Sequence, residues 1–284
     1  MFCIYAALLS YYLIAGCVSR MTDTEWRAFT AFRTDFKAAC LRWVAQCGYE
    51  YSAPDEPLTC VQKAVGQGML HRLQREAAQE NKTPAYSHET PVVYNHSLDE
   101  VRVSDQIKLI IISDNPGKNE QLHKNQRYLI GQAGKVAENF FRRNSDLGID
   151  FRRNVIILNK TPVHTAKTKE LGYLLQHGGV QFQRLFEETQ LWLAGKTAAL
   201  QRALGCPLWL VGYGELRKKS LFTPYAEELR KQYRRDPEAP VFVFQHFSMN
   251  CFSIDLKKLS DAHKSTSENL RSIGLLHRRA VLGW

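Results

Sequence analysis

Three short polar runs in the 284-residue sequence each begin where an apolar run stops. Ser113-Asp114-Asn115-Pro116-Gly117 follows the β-branched stretch 107–112, Asn159 closes the stretch 154–158, and His246-Phe247-Ser248-Met249-Asn250 follows 241–245. Open α/β sheets carry their ligand sites at the carboxyl ends of the strands, so carboxylate, amide, imidazole and hydroxyl groups at three such ends are placed to work on one ligand. A fourth run, Gly131-Gln132-Ala133-Gly134, opens a helical pattern. Its small residues let a helix N-terminus approach a phosphate or a base closely, and the free N–H groups there favour an anion. Taken singly, each run also has a plainer reading: a turn, a strand-end amide, a core or capping histidine.

These ends require strands and helices to hold them. The stretches 107–112, 154–159, 207–211 and 241–245 show almost no polar alternation, the pattern of parallel strands covered on both faces. Helical periodicity lies between and after them, at 182–193, at 197–203, in a basic insert from Glu215 to Asp236 and at 267–279. The predicted fold class is therefore α/β, a three-layer α/β/α domain with a four-stranded parallel sheet and added N-terminal helices. In the N-terminal part, 22–80, the residues Trp26, Phe29, Phe32, Phe36, Cys40, Leu41 and Val44 recur at helical spacing, with Asp23 or Thr24 as cap. A Pro-marked loop then leads to a second helix through Val61, Val65, Met69, Leu70 and Leu73. Residues 80–105 read as a link with one edge strand at Pro91–Asn95 and no chemistry. The expectation is one domain over 21–284, with its core at 107–255 and a C-terminal helical segment at 256–284.

Composition narrows the partners. Hydrophobic residues make up 44%, enough for a proper core, and 38 Lys and Arg against 28 Asp and Glu give a formal charge of +10, which favours a polyanion. Residues 1–16 are apolar, no Lys or Arg precedes Arg20, and Ile14-Ala15-Gly16-Cys17 looks like a lipoprotein cleavage box. The positive n-region of a signal peptide is missing, and Met21 opens a conventional start. A mis-assigned start and a signal-like segment both fit. The expectation is a cytoplasmic protein beginning near Met21 with no membrane association, the alternative being export as a lipoprotein through Cys17. Seven Cys form no CxxC pair and suggest neither a zinc site nor a disulfide framework. A P-loop, a GxGxxG and a GxSxG elbow are all missing, which argues against nucleotide-cofactor folds and α/β-hydrolases.

The order of these runs resembles the uracil-DNA glycosylase superfamily. Its members place a Gly-x-x-Pro-Gly motif after one strand, an Asn at the end of the next and a His-x-Ser element after the last. Asp114-Asn115-Pro116-Gly117, with Glu120 beyond it, looks like the first motif. Gly131-x-Ala133-Gly134 is similar to the Gly-x-Ala-Gly of the thermophile-type branch, Leu158-Asn159 to the second motif, and His246-Phe247-Ser248 to the third. The resemblance covers roughly residues 107 to 255.

What it implies is a DNA glycosylase that flips out uracil or a related damaged base and hydrolyses its glycosidic bond. Asn115 falls where the mismatch-specific and single-strand-selective branches hold the hydrolytic water, and Asp114 where the thermophile-type branch has its catalytic Glu. Asn159 would read the base through an amide that both donates and accepts. His246 would donate to the oxyanion of the departing base, and Ser248 would contact a phosphate. Pro116 and Gly117 would shape the base pocket, and Met249 would be the wedge that fills the vacated stack. This chain departs from the pattern at Ser113, where a Gly is usual, at Phe247, where a Pro is usual, and at Leu129, where an aromatic stacks on the base; the neighbouring Tyr128 is the candidate replacement ring. The iron-sulfur cluster of the thermophile-type branch needs a Cys where this chain has Thr161, so a protein without metal or cofactor is expected, as a monomer with DNA as partner. Two alternatives stay open: a catalytically idle nucleic-acid-binding member of the same fold, and an exported lipoprotein using the fold otherwise.

Overall fold

A computed structural model describes residues 20–51, 60–62 and 68–284. Helix α1 (Asp23–Gln46) starts at Thr22, which forms a reciprocal capping box with Glu25, so the cap lies one residue before the expected pair. Its apolar stripe of Phe29, Phe32, Phe36, Cys40, Trp43 and Val44 is buried. Strands β1 (Tyr49–Tyr51) and β2 (Cys60–Gln62) pair antiparallel, which places Val61 in a strand rather than in the expected helix. Helix α2 begins only at Met69 and runs to Glu80; Val65 lies outside the described residues, as do residues 1–19 with the Cys17 box. The link that follows is no surface loop: Val92, Val93, Tyr94 and Asn95 are fully buried, and Val92 bridges to Val163.

Helix α3 (Ser97–Glu100) precedes the α/β core. Strand β3 (Leu109–Ser113), helix α4 (Gln132–Arg143), strand β4 (Val155–Asn159), helices α5 (Glu170–His177) and α6 (Gly179–Leu204), strand β5 (Leu208–Val211), helix α7 (Thr223–Tyr233) and strand β6 (Val241–Phe244) follow in turn. Helices α8 (Cys251–Leu259) and α9 (Thr266–Leu282) close the chain. The four core strands are parallel in the order β4-β3-β5-β6, and every residue in them is buried, as their unbroken apolar character requires. Helix α6 runs straight through Gly195-Lys196, where the sequence pattern suggested two helices. A Cβ at Gly195 would meet nothing closer than Gln232 Nε2 at 3.8 Å, and the buried residues on both sides keep the helix in register.

Register decides which side of the sheet each strand-end residue serves, because residues paired across a parallel sheet share a face and successive residues alternate. Trp209 on β5 stacks on Phe141 of α4 and Phe252 of α8, which defines one face. Trp209 pairs with Ile111, and Ser113 lies two residues further along β3, so Ser113 and its partner Asn159 lie on that face too. Asp114 and Lys160 are the next residues along, and they turn to the opposite face, where Phe222 covers Lys160.

Candidate functional site

A cavity of about 670 Å³ opens at the carboxyl ends of the strands. Its walls include Ser113, Asp114, Asn115, Gly117, Glu120, Leu129, Ala133, Thr165, His246, Ser248 and Met249. The turn after β3 is tied to the loop after β4: the Pro116 carbonyl accepts from Thr165 N at 3.2 Å and from His164 Nδ1 at 2.9 Å. Asn115 Nδ2 donates to Thr165 Oγ1 at 2.9 Å and to the carbonyls of Thr165 and Pro116, both at 3.2 Å. Two carbonyl acceptors can be served only by the amide nitrogen, which fixes the flip of this side chain and leaves Oδ1, a bare acceptor, for the cavity.

Asp114 is held differently. Its Oδ1 accepts from Lys160 Nζ at 2.5 Å, and Lys160, fully buried, also donates to the Val211 carbonyl at 2.6 Å and lies 5.3 Å from the Phe222 ring. Burial pushes the Lys160 ammonium below its ordinary pKa, against the pull of Asp114. Gly212, with φ of +85°, passes so close that a Cβ there would sit 2.5 Å from Asp114 Oδ1. The carboxylate is thus wedged between Lys160 and the backbone after β5.

The imidazole of His246 is fixed at both nitrogens. The backbone N–H of Ser248 donates to Nδ1 at 3.0 Å, and Ser248 Oγ lies 2.7 Å from the same atom. An amide N–H cannot accept, so Nδ1 is the unprotonated nitrogen and Nε2–H donates to Ser113 Oγ at 2.9 Å. Burial lowers the His246 pKa, with the nearby Asp114 charge opposing and Lys160 assisting, which suits the neutral ring. This tautomer also rules out Ser113 as a nucleophile activated by His246, since a base must present a bare nitrogen to the hydroxyl.

Asn159 has a buried Nδ2 with no hydrogen-bond partner among the described residues. A donor left without a partner inside a protein costs about 1–3 kcal/mol; Asn159 pairs with Ser113 in the sheet but is not among the residues that line the cavity. Met249 is 83% exposed, and both it and Asn250 have left-handed backbone, with φ of 53° and 56°. Backbone strain of this kind concentrates at functional sites, and here it projects a large apolar side chain from the cavity rim into solvent.

Leu129 has φ of 50°, and its carbonyl accepts from Arg152. A Cβ on Gly134 would fall 1.6 Å from that carbonyl oxygen, so the glycine at this position is demanded by packing of α4 on the Leu129 backbone. Tyr128 does not reach the cavity. Its ring is buried in the core and its hydroxyl donates to the Val93 carbonyl at 2.5 Å, which excludes it as the stacking ring. Thr161, also buried, pairs its hydroxyl with Thr189.

Three features of the site have no role in the sequence motifs. Thr165 anchors Asn115, and only the fold brings the two together. Glu120 accepts from Gly117 N at 3.1 Å and from the backbone of Leu129 and Ile130, and burial pushes its carboxyl up to about 7; the signal was an acid three residues past Gly117. Lys118, Lys167 and Lys169 give the rim exposed cations, legible only as part of the net charge. Among the described residues no group of three or more His, Cys, Asp or Glu is placed to hold a metal ion, and no helix is long and apolar enough to cross a membrane. Comparison with protein-family models, with curated proteins and with solved structures finds no match for this chain.

Proposed function

We propose that the protein is a DNA glycosylase that hydrolyses the glycosidic bond of uracil or a related deaminated base flipped out of DNA. The observation that carries this reading is one cavity bounded by a fixed amide acceptor at Asn115 and by the hydrogen-bonded Ser113 and His246; Asn159, with an orphaned amide donor, pairs with Ser113 in the sheet but lies behind the cavity wall. A flipped pyrimidine offers what these groups lack: acceptors for the donors, and an anomeric carbon to be attacked by a water held on Asn115 Oδ1. Strong base catalysis is unnecessary where the glycosidic bond breaks early to an oxocarbenium-like sugar. The rim cations suit the phosphates, and Met249 suits the gap left in the stack.

A second reading, a non-catalytic nucleic-acid-binding protein, is favoured by the engagement of His246 Nε2 with Ser113. Single-turnover excision on uracil-containing oligonucleotides, beside a gel shift, separates the two. Asn115→Ala and His246→Ala are each expected to slow excision about a hundredfold, the usual loss of one oriented group at a developing charge. DNA affinity stays, because it rests on phosphate contacts. Full activity in both variants, or no excision by the unaltered protein, rejects the glycosylase reading.

A further inference from the structure

We infer that Ser113, and not His246, presents the hydrogen-bond donor to the leaving base, with His246 acting as its positioning residue. The inference rests on the glycosylase reading and deepens it. Nε2–H of His246 is already given to Ser113 Oγ at 2.9 Å, and the tautomer leaves the ring no second N–H to offer. Ser113 Oγ accepts that proton with a lone pair and keeps its own O–H, which has no acceptor among the described residues. Ser113 lines the cavity although it is only 2% exposed, so its O–H points into a nearly dry place where a hydrogen bond to developing charge counts most. A hydroxyl that itself accepts a hydrogen bond is polarised into a better donor.

In the reaction the bond between the base nitrogen and the anomeric carbon breaks, and its electron pair leaves on the base. The charge collects on the base carbonyl oxygen that Ser113 O–H meets. Water held at Asn115 adds to the anomeric carbon and releases a proton to solvent, and the departing base takes up a proton from solvent. One water is consumed, and neither Ser113 nor His246 changes protonation state.

The same geometry explains how His246 is held. Ser248 supplies both its backbone N–H and its hydroxyl to Nδ1, so the loop that carries Met249 also sets the direction of Nε2–H. Insertion of the wedge and aim of the donor are therefore mechanically linked.

The test is single-turnover excision of uracil by the full chain, with thermal melting of every variant. Ser113→Ala and Ser113→Gly are both expected to lose about a hundredfold. Ser113→Thr keeps the hydroxyl and stays within about tenfold of the unaltered protein. His246→Gln, whose amide N–H can still reach Ser113, retains more activity than His246→Ala, a rescue that a purely structural histidine would not give. Nitrogen NMR of His246 in the unaltered protein is expected to show the neutral ring with Nε2 protonated. Ser113→Gly at full rate, or a proton on Nδ1, overturns the inference while leaving the glycosylase reading intact. An unaltered protein that excises nothing overturns both.

Discussion

The turn after β3 has two sides, and its residues divide between them by chemistry. Ser113, Asn115 and Gly117 line the cavity; Asp114 borders it too, but its carboxylate is turned to Lys160 and Gly212, and the Pro116 carbonyl is turned to His164. Lys160 is buried behind the turn, Asp114 bridges its two sides, and the neutral groups sit in front. A largely buried ion pair is costly to desolvate and holds geometry in return, whereas neutral donors and acceptors can wait at a dry wall without a counter-charge. The Asp114–Lys160 pair thus frames the turn, and Ser113 and Asn115, neutral groups, are left facing the cavity.

The comparison breaks most readily at Asp114. Asp114→Ala leaves Lys160 buried with an uncompensated charge, so a loss of about 3–5 kcal/mol is expected in urea or thermal unfolding, with excision falling because the turn loosens. Adding Lys160→Met removes the orphaned charge and should recover most of the stability. If Asp114→Ala melts like the unaltered protein yet excises nothing, Asp114 belongs with the front groups as the water-positioning residue.

Two histidines sharpen the same contrast. His164, behind the turn, gives Nδ1–H to the Pro116 carbonyl and receives the Tyr86 hydroxyl on Nε2, whereas His246, in front, carries its proton on Nε2. Burial drives the His164 pKa down to about 3 from 6.5, helped by the neighbouring His88 and His71. Because the folded value lies below the unfolded one, the stabilisation from neutral His164 is complete above about pH 6.5. It is lost as pH falls toward 3, at a slope of about 1.4 kcal/mol per pH unit from this one proton. Unfolding measured at pH 7, 6, 5 and 4 should show that slope, and His164→Gln should flatten it by about this amount. An unchanged slope would mean that other groups carry the acid lability.

Much of this was legible beforehand, and the reasons differ by region. All four core strands lie within two residues of their apolar runs, because a strand covered on both faces has nowhere to hide a polar residue. The front groups were legible as strand-end residues. Their division from Lys160 is a matter of alternation rather than of motif: Ser113-Asp114 and Asn159-Lys160 are alternating pairs on adjacent strands, and alternation alone sends the Asp and the Lys to the same side. The partnership of Asn115 with Thr165 depends on how the loop after β4 folds back, which no local pattern encodes. Tyr128 was misjudged because adjacency to Leu129 says nothing of direction: left-handed backbone at Leu129 turns the chain between them. Strand β2 lies where the sequence predicts the start of a helix, because Val61, Val65 and Met69 are spaced four apart.

The smallest change offers the sharpest test of the front side. Gly117 lacks a positive φ, and a Cβ built there meets no atom within 4 Å, so neither backbone strain nor packing demands a glycine in the fold. Gly117→Ala should therefore fold with stability altered by no more than about 0.5 kcal/mol, since the methyl removes some freedom from the unfolded chain and touches nothing. That methyl nevertheless occupies space in the cavity that a flipped base would enter. Displacing a substrate by about 1 Å can cost on the order of a hundredfold, and a partial displacement here is expected to slow single-turnover uracil excision about tenfold. Melting temperature and excision rate measured on the same preparation decide it. A lowered melting point with an unchanged rate would place Gly117 in the framework behind the turn, and an unchanged rate with unchanged melting would mean that the base does not approach this wall.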